Sequence, residues 1–413
     1  MAGPRRLLLV SQRPLDYGGG GSVRWQFLRE ALPRLGWEVH SVTAPAGVTS
    51  NEASVDPRAA RLAAGRAHVM GAIGRATRPL VRRTLGVQPE ALAPNGLWSW
   101  TGRRAIRAAL DVVRPDLVWA TGPPASAFLA AAAVLRERPE PLVAELRDLW
   151  GGNPYFDAGG PLLPAVERRA FSRCQAVVSV TEGCRDRLLA LHPEIAGRFV
   201  LLPNGFDPRL LDWRRAPRDR RAGDAAVLIH AGSLYRDRTA AHLIRALRRP
   251  ELRGRARLEL IGPLDGASEA ELGPGVAHRP PVTWDEAIER TRAADIAVVI
   301  NSPGTGGDMA LPSKLYEALA LGRPVLALTT PGSDTARLLA RLGQDAGCAP
   351  PTDEAAIAGA VARLLDAPPP AVAPEALARW DRSAIAHDTA ALLDGLIASG
   401  SPRAPQARRS SAA

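Results

Sequence analysis

Short apolar runs alternate along the chain with longer stretches of helical periodicity. Residues 7–10 read as a buried strand, and a glycine run at 18–21 leads to Ser22, an N-cap candidate for a helix through Val23, Phe27, Leu28, Ala31 and Leu35. Strand-like runs recur at 38–42, 116–120, 141–145, 176–180 and 199–202, separated by helical stretches such as 125–135, 164–171 and 184–191. This alternation predicts a parallel sheet covered by helices. Pro203-Asn204-Gly205 is a turn signal, and the Arg-rich, apolar-poor stretch at 213–224 marks a domain boundary. The pattern then restarts with a strand at 226–231, a loop opened by Gly232, a helix through Leu243 and Leu247, and a strand at 257–261. Strands at 295–300, 324–328 and 345–348 alternate with helices at 284–291, 313–321, 334–342 and 353–365. A proline run at 368–370 precedes a last apolar helix at 383–397, and the small, basic segment 399–413 is expected to be disordered. The expected fold class is α/β, with two Rossmann-like parallel-sheet domains at 1–205 and 206–381.

A length of 413 residues suits two domains, and 46% hydrophobic with 23% charged residues places the chain among globular proteins. The longest apolar runs, near 127–135, fall short of the ~18–20 residues that span a bilayer. The basic start at 1–6 is followed by too short an apolar core for a signal peptide, so a cytoplasmic protein is expected. Cys174, Cys184 and Cys348 form no CxxC pair and read as reduced core thiols.

The net charge of +11 invites a nucleic-acid reading, but its distribution changes the picture. Ten arginines stand against the single acid Glu90 in the basic stretch 58–107. Leu62, Val69, Ile73, Ala76 and Leu80 fall at helical spacing among the arginines of 58–83, as an interfacial helix on an anionic membrane surface requires. A solvated basic face fits the same residues, and Pro79 limits the helix. No aromatic residue interleaves those arginines, which argues against nucleic acid as a partner. Lys314 is the only lysine in a chain that otherwise uses arginine throughout. A position that keeps lysine against that preference is a candidate for a chemical role.

Several chemistries are excluded. A dinucleotide fingerprint needs GxGxxG after the first strand and an acid after the second, and the chain has Ser22, Val23 and Arg24 at the one place and Thr43, Ala44 and Pro45 at the other. Ser313 and Leu315 flank Lys314, so no Walker P-loop is present. No two aspartates stand two apart and the histidines lack ligand spacing, so no metal or other cofactor is expected.

Four segments carry a specific resemblance. They are Gly19-Gly20-Gly21-Ser22, Leu202-Pro203-Asn204-Gly205-Phe206-Asp207, the run from His230 to Arg238, and the run from Pro312 to Ala327. In order and spacing they resemble the family 4 glycosyltransferases, retaining enzymes of the GT-B architecture, in which two Rossmann-like domains face each other across a cleft. The resemblance implies a nucleotide-diphosphate-sugar donor bound by the second domain and a hydroxyl acceptor bound by the first. It also implies that a C-terminal helix, 382–398, crosses back to the first domain. Arg238 matches one member of the family's phosphate-binding basic pair. Glu317 matches the second of two glutamates, the one that usually meets the ribose. The first glutamate is missing: Met309 stands at its position with Asp308 beside it, and Asp308 is the candidate replacement. A nucleotide-sugar epimerase and a catalytically silent sugar-nucleotide-binding protein share the donor half of this pattern.

The physical reading runs alongside. A departing diphosphate must meet cations and backbone N–H groups, and Arg238 and Lys314 supply the cations, each expected at the start of a helix. Lys314 and Glu317 lie on one helical face, where they serve phosphate and ribose together or form an i, i+3 surface pair. Gly20 and Gly21 permit close backbone approach to the donor phosphates or to the acceptor, or simply make a turn. Asp148, after the strand at 141–145, suits orientation of the acceptor hydroxyl or a cap with Arg147. His230 ends a buried strand and reads as a core histidine, while Thr121 to Pro124 form a wall for the acceptor or a turn.

Overall fold

The computed structural model describes residues 3–15, 20–43, 47–49, 98–123, 125–151, 163–214 and 224–399. The basic stretch up to residue 97, Gly18 and Gly19 of the glycine run, part of the boundary segment and the tail lie outside the described residues, as do the residues at 58–83 expected to face a membrane. By packing, the chain divides into two units, one of 1–203 with 383–413 and one of Asn204–Arg382.

The first unit holds β1 (Arg5–Ser11), β2 (Trp37–Thr43), β3 (Gly47–Thr49), β4 (Leu117–Gly122), β5 (Leu142–Leu146), β6 (Ala176–Ser179) and β7 (Phe199–Leu201). Their order is β3-β2-β1-β4-β5-β6-β7, parallel except for β3, which lies antiparallel on β2. Strands covered on both faces cannot alternate polar and apolar residues, and Leu7, Leu8, Leu9 and Val10 are all fully buried. Trp25, Trp37 and Trp119 fill the core, with Trp25 and Trp119 edge to face at 5.4 Å. The C-terminal helix Arg382–Ser399 completes this core through Ala386, Ala390, Leu392, Leu393 and Leu396. Its Asp394 accepts hydrogen bonds from Trp37 Nε1 and from Arg5.

The second unit holds β8 (Ala226–Ala231), β9 (Ala256–Ile261), β10 (Val276–Arg279), β11 (Ile296–Ile300), β12 (Val325–Leu328) and β13 (Cys348–Ala349), all parallel in the order β10-β9-β8-β11-β12-β13. Two parallel-sheet α/β units are the expected fold class. Thr181, Thr283, Ser333 and Asp353 cap their helices by accepting backbone N–H bonds.

The structure departs from the sequence reading in places with physical causes. The strand expected at 345–348 is a 3-10 turn, Asp345–Gly347, leading to a strand of two residues. A side chain at Gly347 would collide with the Val325 carbonyl, so the chain turns there under β12. The helix expected to be capped by Ser22 begins at Gly20, which places Ser22 inside it. The strand β10 and the helix Trp98–Val113 were not anticipated. No helix among the described residues is long and apolar enough to cross a membrane.

Candidate functional site

In each sheet the strand order reverses direction once, between β1 and β4 in the first unit and between β8 and β11 in the second. Ligands of open α/β sheets bind beyond the carboxyl ends of the strands at such a point.

In the second unit the penultimate residue of β8 is His230, which is buried and bridges the reversal by donating from Nδ1 to the Val298 carbonyl of β11 at 3.0 Å. With its proton on Nδ1, the ring turns an unprotonated Nε2 toward Lys314 Nζ, 3.4 Å away. Burial, then the neighbouring Lys314, hold His230 well below the ordinary histidine range, so it stays neutral. Lys314 is the second residue of the helix Ser313–Ala320, whose N-cap Pro312 offers no side chain to the free amides. Burial of the ammonium, then repulsion from Arg238, lower its pKa to about 7, while Glu317 opposes the shift.

Glycine makes this arrangement possible. A Cβ on Gly232 (φ +146°) would lie 2.1 Å from Lys314 Nζ, and one on Gly262 (φ +114°) 2.9 Å from the Gly232 carbonyl oxygen. The ends of β8 and β9 therefore close up, and the ammonium lies directly over backbone.

Arg238 does not begin a helix, contrary to expectation. It closes a tight turn in which Arg238 and Tyr235 exchange backbone hydrogen bonds, and the following helix starts at Ala241. Its guanidinium lies 5.1 Å from the Tyr235 ring centre, and its Nε is buried with no hydrogen-bond partner. Glu317 is buried and forms no ion pair with Lys314; its Oε1 accepts from Trp284 Nε1 at 3.1 Å and Arg382 Nη2 at 3.3 Å. The surface-pair alternative thus fails, because a second cation and an indole take the carboxylate first. Asp308 ends a short helical turn, Thr305–Asp308, after β11, and its Oδ1 is buried without a partner, as are Asn301 Oδ1 and Ser302 Oγ.

In the first unit Asp148 is exposed. The alternative cap with Arg147 is not formed: Arg147 donates from Nε to Thr121 Oγ1 at 3.2 Å and from Nη2 to the Pro123 carbonyl at 3.4 Å. Gly20 and Gly21 are the first residues of a helix. Arg238 and Lys314 are thus brought together with Glu317 near them, all in the second unit, whereas Asp148, Gly20 and Gly21 belong to the first.

Sequence reasoning missed Glu145, the most enclosed acid among the described residues of the first unit. It is fully buried at the end of β5 and accepts from Arg24 Nε at 3.0 Å, Trp25 Nε1 at 2.7 Å and Trp119 Nε1 at 3.3 Å. Burial pushes its pKa up, but Arg24, Arg147 and the hydrogen bonds from Thr121 and Trp25 outweigh it and leave the carboxyl below its usual range. An acid closing an otherwise apolar strand was the available signal. Gly232 was noted only as the opening of a loop. Among the described residues no three His, Cys, Asp or Glu side chains gather as metal ligands do.

Residues 18–210 match the model of Glycosyltransferase Family 4, and residues 225–367 match that of Glycosyl transferases group 1. A comparison with curated protein sequences finds no match. Among solved structures, sucrose-phosphate synthase from Thermosynechococcus elongatus is similar at a TM-score of 0.66 and 17% identity, over 96% of this chain and all of that one. A glycosyltransferase from Rickettsia africae gives 0.61 and 11%, over 94% of this chain and 93% of that one. Anabaena Alr3699/HepE, solved in complex with UDP, gives 0.56 and 14%, over 94% and 99%. Identities this low establish the shared GT-B fold and nothing finer. With one transferase model over each α/β unit and the GT-B fold throughout, the chain belongs to the family 4 glycosyltransferases.

Proposed function

We propose that the chain transfers a hexosyl group from a nucleotide-diphosphate-sugar to a hydroxyl acceptor, with retention at the anomeric carbon and without a divalent metal. The observation that carries this reading is the pairing of Arg238 with Lys314 at the strand reversal of the second unit, where neither has an acid at ion-pair distance among the described residues. Two adjacent cations repel, and such a pair is stabilised by a ligand of the opposite charge. A diphosphate supplies that charge, and it gains more when the glycosyl bond breaks and the full negative charge forms on the leaving oxygen. The free amides at the start of the Ser313–Ala320 helix point the same way.

Glu317, held by hydrogen bonds from Trp284 and Arg382, is the acceptor assigned to the ribose in this reading. Asp308, Asn301 and Ser302 offer buried polar atoms to sugar hydroxyls, which is how the loop replaces the missing glutamate. The acceptor oxygen bonds to the anomeric carbon on the face the diphosphate leaves, its proton passing to a phosphate oxygen, and Asp148 orients it. UDP bound to the Anabaena relative is consistent with this donor class.

Calorimetric titration with UDP and other nucleoside diphosphates, with and without EDTA, tests the donor site. Binding lost in both Arg238→Gln and Lys314→Ala supports it, and unaltered binding in both overturns it. Product formed from donor alone would instead favour an epimerase.

A further inference from the structure

The first unit gathers cations of its own at the reversal between β1 and β4, and nothing in the donor reading uses them. Arg24 is buried and doubly anchored, donating from Nε to Glu145 and from Nη1 to the Pro203 carbonyl. Its remaining amino group, Nη2, is buried with no hydrogen-bond partner. A buried donor left unpaired is costly, and a native chain keeps one where something else completes it. Arg147 is anchored in the same manner by Thr121 and Pro123, at the carboxyl ends of β4 and β5. Burial, and the nearby cations Arg24 and Arg13, make its charged form unfavourable despite Glu145 and Asp148. Glu145, saturated by two indoles and Arg24, has little left to offer a further cation, and Asp148 is exposed.

We propose that Arg24 and Arg147 form a second oxyanion site, which binds a phosphate ester carried by the acceptor. Phosphate is favoured over carboxylate by charge and shape: Arg24, on the helix Gly20–Ala31, and Arg147, just after β5, repel each other and call for a dianion. A tetrahedral group has oxygens for both, whereas a planar carboxylate is satisfied by one fork. The assignment to the acceptor rests on the reading that the second unit holds the donor.

Equilibrium dialysis of the full chain with inorganic phosphate tests it. The expected result is two classes of site, one weakened at least about tenfold (~1.4 kcal/mol) by Arg147→Gln and the other by Arg238→Gln. Arg24→Gln removes a buried ion-pair partner, so Arg147→Gln carries the test if that chain fails to fold. A single class lost with Arg238→Gln and unchanged by Arg147→Gln overturns this proposal and leaves the donor site standing. A single class lost only with Arg147→Gln supports it and overturns the donor site instead. Glycerol 3-phosphate and phosphatidic-acid vesicles are then compared as competitors. Displacement by the first assigns a soluble ester and by the vesicles alone a lipid headgroup, both in support; displacement by neither overturns an acceptor role.

Discussion

The two strand reversals treat charge in opposite ways. In the first unit a fully buried carboxylate, Glu145, sits at the strand ends and fixes its cation, Arg24, in place. In the second unit the nearest carboxylate, Glu317, is drawn off by Arg382 and Trp284, and Lys314 is left with a neutral imidazole and another cation. One arrangement holds a buried counter-ion of its own within ion-pair distance of Arg24, and the other has none beside Lys314 among the described residues. Buried ion pairs tend to hold a structure in one form, while perturbed, unpaired cations mark sites awaiting a counter-ion.

Breaking the first arrangement should have the largest effect. Glu145→Gln keeps the shape but leaves Arg24 buried without its counter-ion, and a loss of ~3–5 kcal/mol of stability is expected. Thermal unfolding measures it, and a variant as stable as wild type would erase the contrast. Lys314→Ala should do the reverse, leaving Tm near its original value and lowering kcat/KM by ~100 to 1000-fold, or about 2.7–4 kcal/mol. Lys314→Arg should rescue only in part, since a planar fork does not fit where a side chain as small as a methyl on Gly232 would collide with the ammonium.

Gly232→Ala sharpens the comparison because it touches only the second reversal. Its φ of +146° strains any Cβ, at a cost of order 1–3 kcal/mol, and the new methyl displaces the Lys314 ammonium. Weaker UDP binding together with a lowered Tm is expected; a change in Tm alone would separate the glycine from the site. The smallest effect is in pH. Burial and Arg238 lower the Lys314 pKa to about 7, and a bound diphosphate should raise it again. Above that pH binding must take up a proton, so UDP affinity should fall by at most about tenfold per unit; below it the ammonium is already present and affinity levels off. Lys314→Arg, charged throughout, should show no such slope.

Much of the fold was legible because buried parallel strands leave continuous apolar runs, and 226–231 coincides with β8. The edge strand Val276–Arg279 was hidden because its side chains are mostly exposed and it carries no such run. The helix Trp98–Val113 was read through as part of a basic stretch, its apolar positions diluted by arginines. Lys314 stood out by composition alone. Glu145 did not, since its partners Trp25 and Trp119 join it only when β1, β4 and β5 assemble. The positions of Arg238 and Glu317 came from family resemblance, but their partners did not: a turn ending three residues before a helix, and a carboxylate claimed by Arg382, are tertiary facts.

The C-terminal helix sets an order on biosynthesis. Ala386, Ala390, Leu393 and Leu396 close the same core that Leu7, Leu9 and Trp37 begin. A ribosome must therefore make the whole of Asn204–Arg382 before the first unit can be sealed. At ~5–20 residues per second, roughly 180 intervening residues leave that core open for ~10–35 s. The second unit, contiguous in sequence, can finish folding during the wait. A helix made roughly 180 residues later is thus what makes the first unit whole, and a nascent chain stalled before residue 383 would expose the apolar face of that unit to chaperones and proteases.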